Sequence, residues 1–209
     1  TFCDHLLDAY IEKSPEEKIS EIIPVKEFSD NEYLVMVTKN GVIKKTPASE
    51  YESIRKSGKI AITLKEGDEL ISIFKTTGND NIFLATRNGM AICFNENDAR
   101  AVGRTASGVK AIDLADGDYV VGAEPVREDS KVLLVTDGGY GKCTDLTSFR
   151  IQHRGGKGLK AYKITEKTGN IIGISMVNDS EELIMVTSEG VVIRIRIKDI
   201  ATTTGRITQ

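Results

Sequence analysis

The sequence predicts an all-β fold, a propeller-like array of four-stranded blades, and three recurrences along the chain predict it. The segments Val37-Thr38-Lys39-Asn40-Gly41, Ala85-Thr86-Arg87-Asn88-Gly89, Val135-Thr136-Asp137-Gly138-Gly139 and Val186-Thr187-Ser188-Glu189-Gly190 align, with their glycines 48, 50 and 51 residues apart (89−41, 139−89, 190−139). A second glycine, at Gly58, Gly108 and Gly158, recurs at 50 and 50. Gly67-Asp68 and Gly117-Asp118 form a third series. Self-similarity at a period of roughly 40–50 residues is the mark of propeller blades, in which one supersecondary unit is repeated and buried against its neighbours.

Each repeat reads as the same succession of strands. Tyr33 to Val37 leads into Asn40-Gly41 and then Val42-Ile43, and Ile82 to Ala85 leads through Asn88-Gly89 into Met90-Ala91-Ile92. Asn-Gly between apolar β-formers predicts a two-residue type I′ hairpin, with positive φ at both central positions. Asp137-Gly138-Gly139 and Glu189-Gly190 serve the third and fourth repeats. A third strand is expected after the second glycine, at Lys59–Ile62, Val109–Ile112 and Leu159–Tyr162. A fourth, apolar strand is expected to open the following unit, at Leu70–Ile73, Tyr119–Gly122 and Ile171–Ile174. Four short strands per repeat is the blade recipe. No stretch has convincing helical periodicity, apart from a short turn expected at Ser14-Pro15-Glu16-Glu17. Gly67-Asp68 and Gly117-Asp118 read as turn chemistry linking blades. The expected organisation is one domain with repeats near 17–66, 67–116, 117–168 and 169–209. Residues 1–16 read as the end of a preceding blade or a non-native extension, and the whole as a piece of a longer array.

Composition sets the remaining bounds. The chain has 209 residues, 40% hydrophobic and 28% charged, enough to bury a core. Its longest uncharged apolar run, Ile171 to Val177, is far short of a membrane span of about 20 residues. No basic region and apolar core of a signal peptide opens the sequence. Three cysteines suit no secreted framework, and Cys93 and Cys143 occupy one repeat position, so both read as reduced strand residues in a cytoplasmic protein.

Net charge is −3, yet the basic residues cluster. The loop before the second glycine carries Arg55 and Lys56 in the first repeat and Arg100, Arg104 and Lys110 in the second. In the third it runs Arg150-Ile151-Gln152-His153-Arg154-Gly155-Gly156-Lys157-Gly158-Leu159-Lys160, and the fourth retains Arg206. Lys44, Lys45, Lys142, Arg194 and Arg196 follow the hairpin turns. Cations recurring at one place in a blade would form a positive stripe able to track phosphates, with glycines letting backbone N–H groups reach phosphate oxygens. Such binding would not read base sequence. Other chemistries fail on pattern. Gly155-Gly156-Lys157-Gly158 lacks the spacing of a nucleotide phosphate loop. His5 and His153 have no ligand-like neighbours, and no triad or carboxylate pair stands out, so no catalytic or metal residue is assigned.

Gln152-His153-Arg154-Gly155-Gly156-Lys157-Gly158 resembles the Gln-Arg-Arg-Gly-Gly-Lys-Gly box of DNA gyrase A subunits, with His153 replacing the first arginine. Thr38 to Thr46, Gly67 to Ile71 and Gly103-Arg104…Gly108-Val109-Lys110 are similar to that family's C-terminal repeats, and the resemblance runs from about Ile19 to Gln209. It implies a six-bladed β-pinwheel, whose blades exchange strands, of which about four are present. It also implies that a basic rim binds, bends and wraps duplex DNA for ATP-dependent negative supercoiling. The implied partners are the gyrase A core and B subunit in an A2B2 holoenzyme associated with the nucleoid, with no membrane. The cleavage tyrosine and the sites for ATP and magnesium would lie elsewhere, leaving no cofactor here. In the family the full box stands in the first blade, so residues 152–158 read either as the principal box or as a secondary box-like loop. Arg154→Ala plus Lys157→Ala is expected to weaken binding to all duplexes and flatten its salt dependence. The alternatives are the equivalent domain of topoisomerase IV, a propeller-like protein-interaction platform, or, last, a propeller enzyme. The platform would expect exposed aromatic anchors, and the chain has no Trp.

Overall fold

In a computed structural model, which describes residues 21–53, 58–203 and 205, four antiparallel hairpins recur along the chain. They are β1 (Tyr33–Thr38) with β2 (Val42–Pro47), β4 (Asn81–Thr86) with β5 (Met90–Asn95), β8 (Lys131–Thr136) with β9 (Gly141–Asp145), and β12 (Glu182–Val186) with β13 (Val192–Arg196). Runs such as Leu-Val-Met-Val and Ile-Phe-Leu-Ala are apolar at every position because both faces of the sheet are covered. Val35, Val37 and Ile43 meet Ile82, Leu84, Ile92 and Phe94 in one core layer. Phe83, Ala85, Ala91 and Cys93 face the other way, against Val132, Leu134 and Phe149. Alternate residues of β4 thus bury against opposite neighbours, which is the period of two that a strand imposes. Phe83 and Phe149 meet edge to face at 4.9 Å between ring centres.

The turns differ from the expected type. Gly41 N–H donates to Thr38 O at 3.0 Å and Gly89 N–H to Thr86 O at 3.1 Å, and the glycines have φ of 76° and 87°. Asn40 and Asn88 do not adopt positive φ. These are three-residue hairpins, a type I turn closed by a left-handed glycine, rather than type I′. The backbone N–H of Asn40 donates to Asp68 Oδ1 at 2.9 Å, and that of Asn88 to Asp118 Oδ1 at 3.0 Å. The Gly-Asp series therefore docks the next linker onto the first two hairpin turns.

Each of the first three hairpins gains an outer strand on both sides, and here the chain departs from simple succession. β3 (Leu70–Thr76), β7 (Val120–Pro125) and β11 (Ile171–Val177) pair with β1, β4 and β8, so each completes the sheet before it instead of opening the next. β6 (Val109–Lys110) pairs back onto β2, and β10 (Leu159–Lys160) onto β5. Each crossing segment first touches the earlier sheet in parallel, at Lys45↔Ala101 and Cys93↔Ile151, and then turns back antiparallel. β14 (Thr202–Thr203) makes the parallel contact with β9. The resulting sheets run β3-β1-β2-β6, β10-β5-β4-β7, β11-β8-β9-β14 and β12-β13. This is the strand exchange of a pinwheel, and the protein is an all-β, propeller-like array. The strand expected at Lys59–Ile62 does not form. Its counterparts pair with a hairpin one repeat upstream, and the described residues hold no strand before Tyr33. The expected turn at Ser14–Glu17 lies outside the described residues.

Gly158 shows why the second glycine series recurs. Its φ is 74°, and a Cβ there would stand 2.4 Å from Ala91 O. Gly108 (φ 88°) meets Ile43 O at 2.5 Å in the same way. The crossing segment can lie against the older sheet only if this residue has no side chain. One feature had no clear sequence signal: a single 3₁₀ turn follows each second hairpin strand, at Ala48–Tyr51, Glu96–Asp98, Leu146–Ser148 and Ile197–Asp199. Cys93 and Cys143 are buried free thiols, and burial pushes Cys93 up to about 11. No helix among the described residues is long and apolar enough to cross a membrane.

Candidate nucleic-acid interface

The crossing segments carry the basic residues, and their excursions at 102–108 and 152–158 occupy equivalent places. The hydrogen bonds repeat as the sequence does. Val102 N–H donates to Lys45 O at 2.9 Å, and Gln152 N–H to Cys93 O at 2.8 Å. Thr63 N–H donates to Ala106 O at 3.3 Å, and Asp113 N–H to Gly156 O at 2.9 Å. Arg104 Nη1 donates to Ile60 O at 3.0 Å, and Arg154 Nη1 to Lys110 O at 2.9 Å. Arg154 Nε also donates to Asp98 O at 2.7 Å. Each excursion is thereby laced to the crossing segment before it.

The two excursions differ in charge. The first gathers Ile60, Thr63, Arg104 and Ser107, whereas the second gathers Lys110, Asp113, Arg154 and Lys157 at the same positions. Lys110 pairs with Asp113 at 2.7 Å and holds that carboxyl below its usual range. Lys157, Lys160 and Arg150 are exposed, with no carboxylate in ion-pair distance among the described residues. Arg100, which stands 50 residues before Arg150, shares these properties, and that spacing is the signal by which it belongs with the site residues. His153 projects into solvent with its Nδ1 3.2 Å from Asp98 Oδ2, an oxygen that also accepts from Arg154 N–H. Gly155 N–H donates to Ala111 O at 2.6 Å, so it is not available to a phosphate as expected. Gly156 is exposed, Gly158 is spent on the close approach described above, and the Gln152 side-chain Nε2 is buried without a partner. An open cleft of about 420 Å³ beside Lys157 is lined by Asp113, Asp116 and Asp118, an acidic surface that repels phosphate.

Several expected phosphate contacts have other employment. Lys44, 1% exposed, donates from Nζ to the carbonyl oxygens of Ala61 and Arg104. Burial, reinforced by Arg104 and opposed by Glu50, lowers its pKa from 10.5 to about 8. Lys45 is buried against Glu96 at 3.3 Å and over the Tyr33 ring at 4.7 Å. Glu96 in turn accepts from Thr76 Oγ1 and from the N–H groups of Gly78 and Asp80. Lys142 is buried over the Tyr162 ring, and burial brings it to about 8. These three lysines are internal to the array because the second hairpin strand is covered by the crossing segment, and each is almost wholly removed from solvent. Arg194 pairs with Glu182, and Arg196 with Asp199 at 2.7 Å. Arg55, Lys56 and Arg206 lie outside the described residues. Among the described residues, no group of three or more His, Cys, Asp or Glu side chains could hold a metal ion.

The chain matches the family described as DNA gyrase C-terminal domain, beta-propeller, in four segments, 32–77, 80–127, 130–178 and 181–209. It is 51% identical to the DNA gyrase A subunit of Clostridium acetobutylicum over 193 residues, which cover 92% of this chain and 23% of that protein. It therefore spans under a quarter of the relative's length. Its fold superposes on the crystal structure of the C-terminal domain of DNA topoisomerase IV with a TM-score of 0.87 at 30% identity, covering 94% of this chain and 61% of that one. A DNA gyrase A C-terminal domain gives 0.85 at 25% identity, covering 96% and 68%.

Proposed function

The chain belongs to the DNA gyrase C-terminal domain family, and from that membership we propose that it binds duplex DNA through the phosphate backbone and bends it. The observation that carries this reading is the second crossing excursion. There Arg154 grips the Lys110 backbone, Lys157 stands three residues beyond, the exposed Arg150 and Lys160 flank them, and Arg100 precedes by one period. Duplex DNA presents one phosphate per ~1.7 Å of axis, so cations at a fixed repeat can follow it without reading bases. Bending a site of 20–30 bp costs on the order of 1–6 kcal/mol, which counterion release from several contacts must offset. In the longer protein the bent segment would be presented to the gyrase A core, within an assembly with the B subunit. Strand passage there would yield ATP-dependent negative supercoiling. Residues 152–158 act as a box-like loop in this scheme, through Lys157 and its neighbours.

The test is the affinity of the chain for duplexes of increasing length at several salt concentrations. A steep salt slope that grows with length and then saturates is expected. Weak, length-independent binding would remove the proposal and favour a protein-interaction platform. The topoisomerase IV likeness in fold is separated by a second readout. If a nicked circle is sealed by ligase while the domain is bound, a gyrase-type domain leaves a positive shift in linking number, and a domain that bends without wrapping does not.

A further inference from the structure

We infer that Arg104 and Arg154 are positioning residues. They fix the spacing of successive crossing segments, and so the curvature imposed on DNA, instead of neutralising phosphates. This rests on the DNA-binding reading above. Both arginines are only partly exposed, and their forks are turned onto carbonyls: Arg104 onto Ile60 O, with Glu50 Oε2 4.0 Å from its Nε, and Arg154 onto Lys110 O and Asp98 O. The two links join equivalent residues at one offset, 44 residues (104−60, 154−110). Around each link the backbone is bound as well, Arg104 O by Lys44 Nζ and Arg154 N–H by Asp98 Oδ2.

The first link separates the two roles. There the flanking positions hold Ile60 and Ser107, where the second holds Lys110 and Lys157, yet the arginine and its carbonyl bond are retained. An arginine kept solely for phosphate would have no reason to turn its donors inward onto a carbonyl. At the second link the gripped carbonyl belongs to Lys110 itself, and Lys157 lies three residues beyond the gripping arginine. Slackening the link therefore moves one phosphate-binding cation relative to the other. At the second link one rigid, planar fork spans the carbonyls of Asp98 and Lys110, and a lysine would keep the charge without that fixed geometry.

The experiment uses the whole chain, with a duplex carrying a donor and an acceptor dye at its ends. Arg154→Lys, Arg154→Gln, Arg104→Lys and Lys157→Gln are compared for salt slope, end-to-end energy transfer and melting temperature. Arg154→Lys and Arg104→Lys should keep the wild-type salt slope and lose most of the energy transfer. Lys157→Gln should lower the slope by about one and keep the bend. The inference is overturned if Arg154→Lys bends DNA as wild type does while Arg154→Gln lowers the slope by about one. It is also overturned if both lysine variants lose cooperative melting, because the arginines then serve the fold alone. Should only Arg154→Lys melt early, Arg104→Lys decides on the same two readouts. A wild-type chain that neither binds nor bends any duplex overturns the DNA-binding reading, and this inference with it.

Discussion

A single carbonyl separates two glycines of the same series. Among the described residues, Gly58 has φ of 71° and nothing within 4 Å of a would-be Cβ, whereas Gly158 has φ of 74° and Ala91 O in the way. Gly58→Ala should cost only the left-handed backbone, roughly 1–2 kcal/mol. Gly158→Ala should cost clearly more, because β10 must also lift from β5, and urea unfolding of the two variants compares them directly. The buried lysines make a pH prediction at the same scale. Lys44 is lowered to about 8 from 10.5, so between those values the unfolded chain binds more protons than the folded one. Stability should therefore rise with pH through that window relative to a Lys44→Met variant, and the two should run parallel below it. Melting temperatures across the window check the sign.

Equivalent strand positions carry unequal weight according to whether a neighbouring sheet covers them. Val35, Phe83, Leu133 and Ile184 each stand three residues before the repeat threonine. Leu133 is 1% exposed and packs between the third sheet and the fourth hairpin, while Ile184 is 62% exposed on a two-stranded sheet. Leu133→Ala should cost about 2–5 kcal/mol, and Ile184→Ala no more than about 0.5, by chemical denaturation. The hairpins were legible because their signals are local: an apolar run, a threonine and a left-handed glycine within ten residues. The sheet to which each outer strand belongs was not, because Val109 and Lys110 read the same whether they pair with their own hairpin or the previous one. The basic loop was legible as composition. That Lys44, Lys45 and Lys142 point inward was not, since their burial is imposed by residues some sixty positions later that cover β2 and β9. Arg154 showed its charge in the sequence but not the carbonyls of Asp98 and Lys110 that occupy it.

Across the whole array, the cations that remain available decide how strongly DNA binding depends on salt. Replacing Arg150 and Lys157 together by glutamine should lower the slope of log affinity against log salt by about two, equally for every duplex sequence. Lys44→Gln should leave that slope unaltered, and fluorescence titration at several salt concentrations would show both. The crossing segments also impose an order on biosynthesis. The edge of β2, which ends at Pro47, is not closed until Val109 has been made, 62 residues later, and that of β5 waits 64 residues from Asn95 for Leu159. At roughly 5–20 residues per second, a nascent chain exposes each unfinished edge for several seconds. During translation every sheet is thus provisional until the next has emerged from the ribosome, and neighbouring chains on one messenger are exposed to mispairing for that interval.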